Sequence, residues 1–269
     1  EDKHHRGDYD AEGTAIAFYK MCKTLESRNI NTTTLLLDSI DMKDLIKFAR
    51  PFHATILCKD RVGLKNLFKI ISIANTTYLY KNDQPKIPRR EIEKLREGLL
   101  IGSACINNEI FDKAQSLEDE ELVNMMNFYD YIEVQPVSIF SHLIGVDAKF
   151  SSQYEAEEHL KKIIRVAKAA GKIIVATGDV HNLKKEDLIY RKIIVNQKFN
   201  GKLHPLNRRG IEIPNMYLKT TNEMLEEFSF LDPKLAYEIV VENTNKIADM
   251  IDEIEVIIDT GGIPFAPKI

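Results

Sequence analysis

At 269 residues, with 44% hydrophobic and 29% charged residues and a net charge of −4, the chain can bury a sizeable core in one or two domains. That balance argues against a basic surface that coats nucleic acid and leaves room only for a local patch. Three cysteines, Cys22, Cys58 and Cys105, have no C-x-x-C spacing, and neither a signal peptide nor a membrane span is visible, so the expectation is a cytoplasmic protein with reduced thiols and no membrane contact.

Residues 1–28 predict a helix starting near Asp8 or Asp10, with Ala15, Ala17, Phe18, Met21, Cys22 and Leu25 as its apolar stripe. His5 and Asp10 lie at its entrance. Residues 29–50 are polar and Thr-rich and read as a linker, with a short helix near 44–49. Residues 53–60 read as a strand. The following helix places Leu64, Leu67, Phe68, Ile71 and Ile73 on one side. After the Pro-bounded QPKIPRR loop comes a short helix over 89–97, then a buried strand over 98–105 that ends in Cys105.

Helices are expected over 108–114 and 118–128, and a third strand over 129–136 with Glu133 and Gln135 on one face. Residues 152–170 give the clearest helix, burying Leu160, Ile163, Ile164, Val166 and Ala167, with Gly171 as its C-cap. A fully apolar strand over 173–177 leads to Gly178 and then Asp179-x-His181. Two residues apart on extended backbone, that carboxylate and imidazole would share one side. A helix over 185–197, a loop with Arg208 and Arg209, a helix with Thr221 as N-cap and a helix over 233–254 complete the order, before a Gly/Pro-rich, extended end. Strands alternating with helices predict an α/β fold with mostly parallel strands, although four strands are few for a closed barrel.

His53, Cys105, Asp179 and His181 each lie at a predicted strand end and are all metal-ligand types. Such a set suits Zn2+, Mn2+ or Fe2+ better than Ca2+, and these ions can activate water for phosphoester hydrolysis. The same residues also suit a buried core cysteine, a strand-edge histidine and a capping aspartate. His5 and Asp10 fit a general base and a metal ligand of two-metal phosphodiester hydrolysis, or equally a solvated histidine and an aspartate favoured by a helix N-terminus. Lys86, Arg89, Arg90, Lys94, Arg208 and Arg209 suit either phosphates or a solvated face. Tyr78, Tyr80 and Tyr131 read as packing residues.

The segments RPFHATILCKDRVGLKNLFKIISIA, REGLLIGSACINNEIF, FYDYIEVQP, VATGDVHNLKKEDLIYRKII, PLNRR and TTNEMLEEFSFL, in that order, together resemble the PolC-type DNA polymerase III alpha subunits of low-GC Gram-positive bacteria. In that family a DEDDh proofreading exonuclease is inserted into a PHP domain, a distorted TIM-like β/α barrel. The resemblance implies an internal segment: residues 1–29 as the C-terminal end of the exonuclease, 30–50 as a linker, 51–215 as the second part of the PHP domain and 216–269 as a helical connector toward the polymerase palm. HHRGDYDAE resembles the last exonuclease motif, which implies His5 as general base and Asp10 as metal ligand; Gly7 stands where the family usually has Ala. His53, Cys105, Asp179 and His181 match the second-half PHP ligands. The implied cofactors are Mg2+ for the exonuclease and polymerase and Zn2+, Mn2+ or Fe2+ at the PHP site. The implied partners are primer-template DNA, dNTPs, the sliding clamp and other replisome subunits.

The family's opening H-x-H, the exonuclease D-x-E and the palm carboxylates have no counterpart in these residues. That implies two partial sites and a segment inactive by itself. A stand-alone PHP-type phosphoesterase and a non-catalytic assembly module are the alternatives.

Overall fold

The computed structural model describes residues 7–40, 46, 49–80, 84–199, 201–207 and 211–254. His5, most of the helix expected near 44–49, Arg208, Arg209 and the extended end past 254 lie outside the described residues.

Helix α1 spans Gly7–Glu26, with Asp8 and Asp10 in its first turn and Lys23 in its last, which suits the helix dipole. Its predicted apolar stripe buries nothing: Phe18 and Met21 are exposed. The stretch expected to be a linker holds a further helix, α2, over Thr33–Ser39. Thr32 caps it, its hydroxyl accepting from the Leu35 amide at 3.1 Å.

The central sheet has four strands in the order β1, β4, β5, β6. These are β1 (Thr55–Cys58), β4 (Leu99–Gly102), β5 (Tyr131–Val134) and β6 (Ile173–Ala176). The parallel expectation holds for β4, β5 and β6. It fails for β1, which runs antiparallel to β4 with Thr55 opposite Gly102 and Cys58 opposite Leu99. A four-residue strand carries no sign of its direction; tertiary contacts set it. Two small antiparallel strand pairs are separate from this sheet, β2 (Leu79–Tyr80) with β3 (Gln84–Pro85), and β7 (Lys198–Phe199) with β8 (Lys202–Leu203).

Helix α3 (Arg61–Thr76) follows β1 and is N-capped by Asp60, whose carboxylate accepts from the Gly63 amide at 2.7 Å. Its buried residues are Gly63, Asn66, Ile70 and Ala74, while Phe68 and Ile71 are exposed. The buried face is therefore rotated away from the stripe that apolarity alone predicts. Two contacts fix the rotation. A Cβ on Gly63 would stand 1.8 Å from the Gly98 carbonyl oxygen, so only glycine permits that approach. The Asn66 amide also donates to the Glu97 carbonyl at 2.9 Å.

Helices α4 (Arg89–Glu93), α5 (Glu109–Lys113) and α6 (Asp119–Met126) lead to α7 (Gln153–Ala169). Ser152 caps α7, Gly171 ends it at φ +66°, and all five predicted core residues are buried. Full burial of such side chains is worth about 1.5–3 kcal/mol each. Phe111, Phe140 and Phe150 pack with His159 of α7 in one aromatic cluster.

After β6 comes α8 (Leu188–Asn196), most of whose apolar residues, Ile189, Tyr190, Ile193 and Ile194, are exposed. Helix α9 (Thr221–Glu227) is capped by Thr220 rather than Thr221. The reciprocal box needs a threonine three residues before Glu223, and only Thr220 has that spacing. The helix expected over 233–254 consists of α10 (Pro233–Tyr237), a π-helical turn (Glu238–Glu242) and α11 (Asn243–Asp249), and it ends five residues early. Phe228, Leu231, Ala236 and Ile239 of this C-terminal part join the main core. Ile247 joins a second cluster on the sheet with Leu100, Tyr131 and Val175.

Candidate metal centre

The carboxyl end of β4 runs into Ser103, Ala104 and Cys105, and Ala104 adopts φ +65°. Strand β5 holds this turn in place. Glu133 accepts from the Ala104 amide at 3.0 Å, Gln135 accepts from the Ile106 amide at 3.1 Å, and the Glu133 amide donates to the Ser103 hydroxyl at 2.8 Å. Asn108 donates to the Cys105 carbonyl at 2.6 Å and caps α5. Alternation along β5 puts Glu133 and Gln135 on one face, which the sequence showed; that both brace the Cys105 turn it did not. A glutamate and glutamine two apart at the end of an otherwise apolar strand were the available signal.

His53 precedes β1. Because β1 is antiparallel to β4, its start lies beside the end of β4 (Thr55 opposite Gly102). His53 Nδ1 therefore comes to 3.2 Å from Cys105 Sγ, and the His53 amide donates to the Asn107 carbonyl. A histidine at the wrong end of a parallel strand is at the right end of an antiparallel one. Asp179 lines the same cavity, about 660 Å³, together with His53, Cys105, Glu133, Gln135 and Thr177. Burial pushes the Cys105 thiol above its ordinary pKa, and the Asp179 carboxylate adds to the rise against hydrogen bonds from Asn107. A metal would have to displace that proton.

Asp179 and His181 do not share one extended backbone as predicted. Strand β6 ends at Ala176, and Asp179 adopts φ +41°. The left-handed residue turns the chain. Asp179 faces the Cys105 cavity, while His181 lines a second one, about 590 Å³, with Arg191 and His204. The two side chains still meet, His181 Nε2 to Asp179 Oδ1 at 3.4 Å. Burial, then the Arg191 charge, lowers the His181 pKa, and Asp179 partly restores it.

The four predicted ligands thus form two linked pairs, His53 with Cys105 and Asp179 with His181. Among the described residues no three His, Cys, Asp or Glu side chains are gathered closely enough to hold a metal ion. The donor chemistry nonetheless fits a transition ion, since imidazole and thiolate suit Zn2+ or Fe2+. Among the described residues the buried Thr177 hydroxyl on the same cavity has no partner, a polar atom a ligand would satisfy.

Asp10 is exposed on α1 and apart from this cavity. The basic cluster is committed locally: Arg89 pairs with Glu109, Arg90 and Lys94 pair with Glu91, and Lys86 donates to the Ala49 carbonyl. Among the described residues no helix is long and apolar enough to cross a membrane.

The family model of the PHP domain matches residues 13–174. The chain is 41% identical over 267 residues to the PolC-type DNA polymerase III of Bacillus subtilis (strain 168), covering 99% of this chain and 18% of that protein. It is 42% identical over 253 residues to the PolC-type DNA polymerase III of Pediococcus pentosaceus, covering 94% and 17%. With that of Listeria monocytogenes it shares 42% over 269 residues, 100% and 18%. The chain therefore spans less than a fifth of the length of these curated relatives, and it belongs to the PHP domain family.

Proposed function

We propose that this chain is a segment of a PolC-type replicative DNA polymerase III and supplies one part of that protein's PHP metal site. Identity of about 40% along nearly the whole chain supports the parent assignment. The observation that carries the site is the meeting of His53 and Cys105, 3.2 Å apart, on a cavity that Asp179 also lines.

In this reading residues 1–29 close an exonuclease, 30–50 link, 51–215 form PHP structure and 216–269 connect toward a palm. His5 and Asp10 would serve the exonuclease with Mg2+. Primer-template DNA, dNTPs, the sliding clamp and other replisome subunits would be met through the longer protein, in the cytoplasm.

His53, Cys105, Asp179 and His181 would hold Zn2+, Mn2+ or Fe2+. When bound, such an ion polarises oxygen ligands and lowers the pKa of coordinated water. The chain's own part is to present donors. Glu133 and Gln135 fix the Cys105 turn, and the Asp179 carboxylate sets the position of the His181 ring. Two pairs without the family's H-x-H form an incomplete shell, so metal affinity should be weak and the segment alone inactive.

Titration with Co2+ tests the site. The wild-type chain should develop thiolate-to-cobalt absorption in the near ultraviolet, lost in Cys105→Ser and weakened about tenfold in affinity by Asp179→Ala. Equal spectra for wild type and Cys105→Ser would remove Cys105 from the ligand set.

A further inference from the structure

Ala104, the residue before Cys105, holds φ +65°, a left-handed conformation that a residue with a Cβ keeps only where its surroundings impose it. The Glu133 carboxylate does so, accepting from the Ala104 amide. Among the described residues the Glu133 side chain has no other hydrogen bond, so packing must set where the carboxylate stands. Gly102 of β4 and Tyr131 of β5 provide that packing. The two residues are opposite each other in the sheet. A Cβ on Gly102 would lie 2.5 Å from the Tyr131 hydroxyl oxygen and 2.6 Å from Glu133 Oε1. The phenol and the carboxylate therefore lie together over a glycine that alone leaves room for both. Burial, then the Glu133 and Asp130 charges, raises the Tyr131 phenol above its ordinary pKa, as that closeness requires. Tyr131 is 3% exposed and packs with Leu100, Val175 and Ile247. Ile247 belongs to α11, which the Asn243 amide fastens to β6 at the Ile174 carbonyl.

We infer that Tyr131 is a positioning residue for Cys105: its ring, packed on Gly102 and on Ile247 of α11, keeps the Glu133 carboxylate at the Ala104 amide and so fixes where the thiol stands. On the metal reading of the site proposed above, on which this part rests, Tyr131 thereby positions a ligand of the metal centre, and α11 contributes to donor geometry without reaching the cavity. The residue acts through Glu133, and a tyrosine that merely filled the core would not.

The test uses the 269-residue chain carrying Cys22→Ser and Cys58→Ala, which leaves Cys105 as its single thiol. Alkylation by iodoacetamide reports the turn without any metal, and a pH series gives the rate per thiolate, so a changed thiol pKa does not enter. Glu133→Ala should speed alkylation about tenfold and Tyr131→Leu about fivefold, by loosening the turn. Tyr131→Phe, which keeps the ring, should leave the rate at that of the parent chain. The double variant Glu133→Ala, Tyr131→Leu should react no faster than Glu133→Ala, because the two residues act in series. Ile247→Ala, a milder loss in the same cluster, should speed alkylation about twofold and stands in if Tyr131→Leu does not fold. Unchanged rates in Tyr131→Leu or Ile247→Ala overturn the inference, and so do effects that multiply in the double variant. Co2+ affinity of the same chains should fall about tenfold in Tyr131→Leu and stay unchanged in Tyr131→Phe. A parent chain with no thiolate-to-cobalt absorption would overturn the metal reading alone, and the alkylation rates would still decide whether Tyr131 positions Cys105.

Discussion

His159 sits between Phe111 and Phe150, with ring centroids 4.8 and 5.1 Å away, and is only 5% exposed. Its Nε2 donates to the Phe111 carbonyl at 3.0 Å, while the buried Nδ1 has no partner among the described residues. Burial, helped by the Lys149 charge, lowers its pKa to about 4. The folded value lies below the unfolded one, so the stabilisation is complete above about pH 6.5 and is lost as pH falls toward 4. The loss from this group should reach about 3 kcal/mol. His159→Gln keeps a donor for Phe111 and removes the titration. Urea midpoints compared at pH 7 and pH 4 should fall more in wild type than in the variant, and parallel declines would refute the assignment. The sequence leaves His159 unmarked, because a histidine beside Leu160 on a helix says nothing about which aromatic rings will enclose it. Cys105, Asp179 and His181 were legible as donor types. Their split between two cavities was not, because it depends on the left-handed backbone at Asp179.

Among the elements, α9 shows how far local chemistry reaches. Its box is complete: the Thr220 hydroxyl accepts from the Glu223 amide, and the Glu223 carboxylate accepts from the Thr220 amide at 2.7 Å. Glu223 also accepts from the Tyr217 hydroxyl at 3.0 Å, which ties the helix start to the segment before it. Thr220→Ala should lower stability by about 1 kcal/mol, whereas Thr221→Ala should leave it unchanged or raise it by a few tenths. Equal losses in chemical denaturation would return the cap to Thr221. The T-x-x-E spacing was present in the sequence, and only the choice between adjacent threonines went astray. α3 is the opposite case. Its helical period was plain, but its buried face was set by Gly63 against Gly98 and Asn66 against Glu97, residues distant in sequence. Apolar content alone pointed Phe68 inward, and Phe68 points out.

At the scale of the whole molecule, the C-terminal helices are part of the core rather than an appendage. Asn243 is buried and donates to the Ile174 carbonyl at 2.9 Å, and Phe228 and Ile239 lie in the main cluster. The catalytic consequence concerns what the proposal assigns to the chain: His5 and Asp10 from the last exonuclease motif only, and two proposed ligand pairs without an H-x-H. On a 3′-mismatched primer with Mg2+ the chain alone should release no nucleotide above background. Robust metal-dependent excision, abolished by Asp10→Ala, would show a complete exonuclease site and overturn the proposed inactivity. By itself, the sequence determined the kind and order of the main elements, the core face of α7 and the donor types of the site. Those signals are local, carried by apolar period, caps and residue chemistry. The tertiary structure alone decided the antiparallel β1 that brings His53 to Cys105 across 52 positions, the rotation of α3 and the turn at Asp179. Each of these balances contacts between distant segments, and no window of neighbouring residues contains them.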